Sequence, residues 1–368
     1  VRIGINGLYL IPGGVGGSEI YLRSLVKALG EAASKHEFVL FLAREASHDF
    51  PRSAVKIVTA PVDAVSRPQR LLYEQLRLPS LCDSHAVDVL LNPGFTGPFF
   101  PRRPMATVIF DLQFRDHPEF FSAADALGWR FFVGQTIHRS DRIITISDWT
   151  RQRLRTHYSV ASERVDVIPI GVEEDLRSVN WTPREQDRYL LTISTLHPHK
   201  NLDTLLRAFA IFAPRQPDIR LIIAGLKGNA TEQLLRLRAE LGLEARVEFT
   251  YWIPRERLRE LLEHCWAFVF PSRYEGFGMP VAEALSLGIP AVCSDIPVLD
   301  EVAGQAALRF PRDSPQELAA ALERISNDVE LRNVLHQRGP EQARKFQWPE
   351  IARAMIRSLE TTYNSSKT

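Results

Sequence analysis

The sequence predicts an α/β protein made of two doubly wound, Rossmann-like parallel-sheet domains facing each other across a cleft. Three observations predict it. Short apolar strand candidates alternate with helical patterns along the whole chain, the arrangement of parallel α/β sheets. Runs such as Leu221-Ile-Ile-Ala224 and Phe268-Val-Phe270 are apolar without alternation, as strands covered on both faces are. The length, 368 residues, exceeds one ordinary domain and suits two.

The strands are expected, in order, near 2–6, 38–42, 55–58, 87–91, 106–110, 142–146 and 165–168, then near 189–193, 219–224, 246–249, 267–270, 290–293 and 306–310. Between the two sets, Gly171–Arg188 is polar with almost no apolar periodicity and reads as a linker. The expected division is therefore 1–175, 185–345 and a terminal helix within 346–362. That helix carries Ile351, Ala354, Met355 and Leu359 at helical spacing and is expected to cross back to the first domain. A polar tail, Asn364–Thr368, is expected to be disordered.

Composition narrows the function. Hydrophobic residues make up 45% and charged residues 24%, the balance of a globular protein with ample core. A net charge of +1 supplies no global field for nucleic acid, so no nucleic-acid partner is expected. Three widely spaced cysteines, Cys82, Cys265 and Cys293, suit reduced buried thiols in the cytosol. The ten histidines show no ligand spacing, and no metal is expected. No run reaches the ~18–20 apolar residues of a membrane span, and the chain opens directly on a strand. A cytoplasmic protein is expected. Arg102-Arg103 and the Arg67/Arg70 pair flank apolar residues and suggest peripheral contact at the inner face of the cytoplasmic membrane, against the commoner reading of solvated arginines.

Four segments carry chemistry. The first, PSRYEGFGMPVAEALSLGIP at 271–290, sets Glu275, Gly276, Phe277 and Gly278 just before a helix opened by Met279-Pro280. Free N–H groups at such a helix start suit anions and sugar hydroxyls, and glycines admit close approach. Glu283 and Ser286 share one face of that helix. Either glutamate alone reads as a surface acid; the two together around this loop do not. The second, LTISTLHPHKN at 191–201, follows the first strand of the second domain, where Lys200, aided by His199, would neutralise a diphosphate. Equally, Lys200-Asn201 begins a helix with Asn201 as its cap. The third, PGGVGGSE at 12–19, is a glycine-rich strand-to-helix turn that suits phosphate or plain flexibility. The fourth, VIFDLQFRDHP at 108–118, ends a strand on Asp111; Asp116 and His117 read as surface-loop residues rather than catalytic ones.

These segments resemble one family. PSRYEGFGMPVAEALSLGIPAVCSDIPVLDEVAG is similar to the donor-site signature, Glu-x7-Glu, of retaining nucleotide-sugar glycosyltransferases of the large family-four (group 1) type, which have the GT-B fold. TLHPHKNLDTLLRAF resembles their phosphate segment, RIITISDWTRQRL the end of the first domain, VIPIGV the linker entry, and GGSEIYLRSLVKAL the N-terminal glycine loop. The resemblance implies an acceptor-binding first domain and a donor-binding second one. It implies that Glu275 with Gly276, Phe277, Gly278 and Met279 holds the sugar and β-phosphate, and that Glu283 holds the ribose. Lys200, beside Thr195 and His199, would bind the diphosphate, with Gly16 and Gly17 closing over it. Trp252 and Ile253 would lie against the base. Asp111 would place a carboxylate at the cleft and, with Glu275 and Lys200, is expected to be catalytic, though Phe110 precedes it where relatives often have a histidine; Thr195 and His199 stand where others have arginine.

The resemblance further implies a hexosyltransferase using a GDP- or UDP-linked sugar as co-substrate and no other cofactor. The sugar would be of mannose or glucose type, with the proline-and-lysine form of the phosphate segment inclining to mannose. Transfer would run by metal-independent front-face attack onto a glycan, lipid-linked or small-molecule acceptor, in polysaccharide biosynthesis. A nucleotide-sugar epimerase or phosphorylase of the same fold, or a catalytically impaired nucleotide-sugar-binding protein, are the alternatives. No oligomeric state is implied.

Overall fold

The computed structural model describes residues 1–13, 16–32, 35–46, 50, 55–173, 176 and 179–366. Contacts divide the chain into two compact units, one of Val1–Gly171 with Phe346–Thr368, the other of Val172–Lys345.

The first unit holds seven parallel strands: β1 (Arg2–Gly7), β2 (Glu37–Leu42), β3 (Lys56–Thr59), β4 (Val89–Asn92), β5 (Met105–Ile109), β6 (Arg142–Thr145) and β7 (Val165–Val167). Their order is β3-β2-β1-β4-β5-β6-β7. The sheet is wound outward in both directions from the β1–β4 pair, and ligands of such sheets bind where the winding reverses. Both faces are covered. The helix Gly17–Ala32 turns Tyr21, Leu22, Leu25, Val26 and Leu29 inward at helical spacing. Against it packs the helix Trp348–Ser365, which buries Trp348, Ile351, Met355 and Leu359. Tyr21 meets the edge of Phe110 at 5.0 Å and Trp348 at 5.9 Å between ring centroids. Gly171 lies so close under the Trp348 ring that a Cβ there would come within 2.6 Å of it. The terminal helix runs on to Ser365, beyond the expected start of a disordered tail at Asn364. Thr362 explains the extension: it is buried, so the last turns still have a face to pack.

The second unit holds six parallel strands, β8 (Tyr189–Ile193), β9 (Arg220–Ala224), β10 (Val247–Tyr251), β11 (Ala267–Phe270), β12 (Ala291–Ser294) and β13 (Ala307–Phe310). Their order, β10-β9-β8-β11-β12-β13, reverses between β8 and β11. The helices Leu202–Phe212 and Pro315–Asn327 pack together over one face, adding Leu205, Phe209, Phe212, Leu318 and Leu322 to the core. The 171–188 segment is less linker-like than its sequence. Val172, Leu176 and Val179 are buried, and the Trp181 indole donates to the Cys265 carbonyl at 2.8 Å. Its apolar residues are irregularly spaced, so they pack without a helical or strand period. All three cysteines are buried and free; burial pushes the Cys293 thiol up to about 11 and Cys82 to about 12. Among the described residues, no helix is long and apolar enough to cross a membrane.

Candidate active site

At the switch point of the second unit, β8 and β11 run side by side, Leu190 opposite Ala267 and Leu191 opposite Phe268. Lys200 stands in the loop after one, Glu275 in the loop after the other. The Lys200 Nζ lies 2.6 Å from the Glu275 Oε1, and 5.7 Å from the Phe270 ring centroid. Both side chains are mostly covered, at 18% and 12% exposure. An exposed pair of this kind contributes little, whereas removing one partner of a covered pair strands a charge. Two groups 75 positions apart in the chain thus converge on one point.

The loops that carry them are sewn together. The Arg273 N–H donates to the His199 carbonyl at 2.8 Å, and the Ser272 hydroxyl to the same oxygen at 3.1 Å. The Arg273 guanidinium reaches the Pro198 carbonyl at 3.3 Å and pairs with Asp203 at 3.3 Å and Asp313 at 2.7 Å. Asn201 is the central stitch. It is fully buried in the left-handed region, at φ 58°, a conformation that asparagine tolerates better than most residues. Its Nδ2 donates to the carbonyls of Pro271 at 2.9 Å and Arg312 at 2.5 Å. The side chain makes no cap on the helix Leu202–Phe212, which corrects the capping alternative: both amide hydrogens are spent on neighbouring loops.

Beyond Glu275 the chain passes Gly276 and the buried Phe277 to Gly278, whose φ of 97° is a conformation that side chains with a Cβ rarely adopt. Pro280 then opens the helix Met279–Ser286. The Phe277 ring is turned into the unit. Glu283 is half-buried, and the Ser286 hydroxyl donates to the Glu283 carbonyl at 2.7 Å, so Ser286 is satisfied within its own turn. Thr195 accepts the His197 N–H at 2.8 Å, in a loop zipped to 226–230 by Leu196 and Ala230. Trp252 and Ile253 follow β10 at the same edge of the sheet, two strands away, and Trp252 is 71% exposed.

In the first unit, Gly16 has φ 59° with open space where a Cβ would sit, and Gly17 begins the helix Gly17–Ala32; Gly14 and Val15 lie outside the described residues. The Glu19 carboxylate accepts the Gly13 N–H at 2.8 Å. Asp111, just past β5, accepts the Gln113 N–H at 2.9 Å, and Phe110 before it is buried. Asp116 is no surface-loop residue. Its carboxylate is covered and bonded by Arg153 and by His157 at 2.7 Å. Burial raises its pKa, but the hydrogen bonds from Arg153 and His157 and the Arg153 charge outweigh burial and hold it below the ordinary range. His117 pairs with Glu119 at 2.9 Å.

Two family models match successive parts of the chain, Glycosyltransferase Family 4 over residues 15–176 and Glycosyl transferases group 1 over residues 174–342. O-antigen chain mannosyltransferase B of Escherichia coli is 27% identical over 92% of this chain and 94% of its own length. The chain is a hexosyl-transferring glycosyltransferase. Its fold is shared by sucrose-phosphate synthase from Thermosynechococcus elongatus, with a TM-score of 0.79, 19% identity and 99% of each chain covered. Anabaena HepE, solved in complex with UDP and glucose, superposes with a TM-score of 0.76 and 19% identity over 98% of this chain and 99% of that one.

In this glycosyltransferase four residues hold the two loops in place, Asn201, Ser272, Arg273 and Arg312; the sequence marks Asn201 only as a helix cap and gives the other three no role. Three of them work through backbone carbonyls of segments far away in the chain, and no local spacing announces that. His197 is another. It stacks on His199 at 5.8 Å between centroids and accepts the Asn229 N–H at 3.5 Å. Burial, and then the charge of Lys200, lower its pKa below the ordinary value of about 6.5. The sign follows: below pH ~6.5 the unfolded chain takes up this proton while the folded one resists it. His197 therefore contributes stability that is full above pH ~6.5 and lost as pH falls through its folded value. His197→Asn is expected to flatten the fall in thermal midpoint between pH 7 and 5. An unchanged pH slope in that variant would place the titration elsewhere.

Proposed function

We propose that the enzyme transfers mannose from a nucleotide diphosphate sugar, GDP- or UDP-linked, to a glycan acceptor with retention of anomeric configuration. The observation that carries this reading is the contact of Lys200 with Glu275 at the β8–β11 switch point, beside the glycine loop and the start of the helix Met279–Ser286. In the proposed complex Lys200 moves onto the diphosphate, with Thr195 and His199 alongside. Glu275 and the amides of Gly276, Phe277, Gly278 and Met279 take the sugar and its phosphate. Glu283 accepts from the ribose hydroxyls, and the Trp252-Ile253 backbone meets the base. For Gly16, Gly17 and Asp111 in the first unit, the roles implied by family resemblance are proposals of the same kind.

Chemically, negative charge grows on the departing diphosphate as the glycosidic bond breaks, and a fixed ammonium is most useful there. The acceptor oxygen bonds to the anomeric carbon on the face the phosphate leaves, and a phosphate oxygen takes the acceptor proton. Orientation and charge stabilisation then do the work without a side-chain nucleophile or metal. The mannose preference is supported by similarity to O-antigen chain mannosyltransferase B, and a sugar nucleotide by the UDP and glucose bound to HepE.

A panel of nucleotide sugars in a thermal-shift assay tests the donor. One donor at a hundred times its Kd is expected to stabilise the fold by about 2.7 kcal/mol, with others trailing. NMR of the product then reads the anomeric outcome. An inverted product would end the retaining mechanism, and binding without turnover would mark a nucleotide-sugar-binding protein instead.

A further inference from the structure

The first unit has its own switch point, between β1 and β4. There Tyr9, Gly94, Phe95 and Phe110 line a pocket of about 380 Å³. It is tightly built. The Tyr9 ring lies so close over Gly94 that a Cβ would come within 2.4 Å. Phe95 is held at φ 69°, its ring 5.3 Å from Phe110 and 5.5 Å from Trp129. A non-glycine residue kept in that conformation marks a backbone shaped by its surroundings.

One wall is the helix Arg67–Leu76, whose Arg67 and Arg70 share a face. Arg67 lies over the Trp129 ring at 4.7 Å and pairs with Asp125 at 3.2 Å. Arg70 differs. Its guanidinium makes no hydrogen bond or ion pair among the described residues, although burial acts on it strongly enough to lower its pKa. Glu74, one turn on, is the nearest counter-charge, but its oxygens already accept from Asn6 at 3.0 Å, Thr96 at 3.2 Å and Gln75 at 3.4 Å. Burial raises the Glu74 pKa, which weakens it further as a partner. An arginine keeps its charge in proteins, and a covered one without donors engaged costs free energy until an anion fills the place.

The same helix also walls a second, adjoining pocket, of about 410 Å³, lined chiefly by Pro68, Leu71, Leu72, Ala124, Gly128 and Phe132. Arg67, Leu71 and Phe132 line both. Around it, the helices Arg67–Leu76 and Ala123–Arg139 carry Leu72, Leu76, Leu127 and Phe131, each more than half exposed. Exposed apolar side chains gathered beside an apolar pocket mark a contact surface.

We propose that the first unit takes a lipid-phosphate-linked acceptor: sugar in the aromatic pocket, phosphate on Arg70 and Arg67, and the start of the hydrocarbon chain in the apolar pocket. One amphipathic molecule matches the three surfaces in the order in which they adjoin. A free anion explains Arg70 and leaves the apolar pocket without purpose; an anionic bilayer explains the exposed leucines and leaves the half-buried Arg70 inside its pocket unreached. The proposal rests on the glycosyltransferase reading only in calling this ligand the acceptor.

The test uses farnesyl monophosphate at submicellar concentration with the full chain, read by calorimetry and by tryptophan fluorescence. Farnesyl phosphate is expected to bind about tenfold or more tighter than farnesol, and tighter again than inorganic phosphate. Arg70→Gln is expected to cost about tenfold in farnesyl phosphate affinity. Leu72→Asp, at an exposed position that folding tolerates, is expected to bring farnesyl phosphate down toward inorganic phosphate. Equal binding of farnesyl phosphate and inorganic phosphate overturns the proposal in favour of a small anionic acceptor. Binding to phosphatidylglycerol vesicles that Arg70→Gln leaves unchanged, with no binding of farnesyl phosphate, overturns it in favour of a bilayer surface. The ligand comparison on the unsubstituted chain decides even if Arg70→Gln does not fold. A nucleotide-sugar thermal shift run alongside reports the donor site separately, so its failure would count against the proposed function and not against this acceptor.

Discussion

Lys200→Ala is expected to lower kcat/KM for hexosyl transfer by about a thousandfold while leaving a folded protein. The Lys200 ammonium stands at the β8–β11 switch point; Arg273 beside it is engaged by Asp203 and Asp313, and His197, whose pKa burial and Lys200 lower, does not replace it. The same substitution leaves the Glu275 carboxylate covered, at 12% exposure, without its 2.6 Å partner. A stability cost of about 3 kcal/mol is therefore expected, at the low end for breaking a buried pair because both groups keep some solvent. Glu275→Ala is expected to match it in activity, since sugar and diphosphate would no longer be held by one constellation. The two losses should be far from additive, as those of residues acting as a unit are. Lys200→Met combined with Glu275→Gln is the informative double variant: urea denaturation should show most of the stability restored, and the transfer assay none of the activity. Turnover within threefold of the parent in purified Lys200→Ala would refute the assigned roles.

Gly225→Ala is expected to be the most damaging single methyl group in the second unit. A Cβ at Gly225 would sit 2.0 Å from the Ser194 carbonyl oxygen, and the residue's φ is 139°. Both obstacles are backbone, so no side chain can swing aside, and an L-residue is strained there whatever room is made. Roughly 3 kcal/mol or more of destabilisation is expected, read as a lower urea midpoint. The damage should also reach the site, because the strand end at Gly225 leads into the loop that clips to Leu196 and braces the turn carrying Lys200. At Gly278 the obstruction is softer, a Leu299 methyl 2.5 Å away, and the cost there falls mainly on the φ of 97°. A Gly225→Ala protein with an unaltered midpoint would contradict the steric argument.

Much of this architecture is legible in the chain. Apolar runs such as Leu221–Ala224 and Ala267–Phe270, each closed by a polar or glycine-rich loop, mark the strands because burial on both faces leaves no other composition workable. Gly278 and Pro280 likewise announce a loop entering a helix. The Lys200–Glu275 contact is not legible, because it depends on β11 lying next to β8, a neighbour relation that strand order alone creates. Asn201 looks like a helix cap, and only the left-handed backbone at that position turns its amide toward Pro271 and Arg312. The aromatic pocket is further from view still. Its walls come from segments near 9, 70, 95, 110 and 129; the sequence marks the 108–118 segment and the Arg67/Arg70 pair separately, but nothing in it brings them together, and a guanidinium lacking a partner has no sequence signature.

The bond between Lys200 and Glu275 bears on selectivity as well as on position. If both bind the donor as proposed, each is the other's substitute ligand, and an entering molecule has to satisfy two opposite demands together. An anion alone captures the ammonium and orphans the carboxylate; a sugar alone does the reverse. Only a molecule offering phosphate and hydroxyl donors a few ångströms apart leaves neither worse off. On the proposed reading, the nucleoside diphosphate left behind once the hexose has gone meets half of that condition, and the two side chains compete to re-form their bond. A site so built would act as a coincidence detector that also helps to expel its own product.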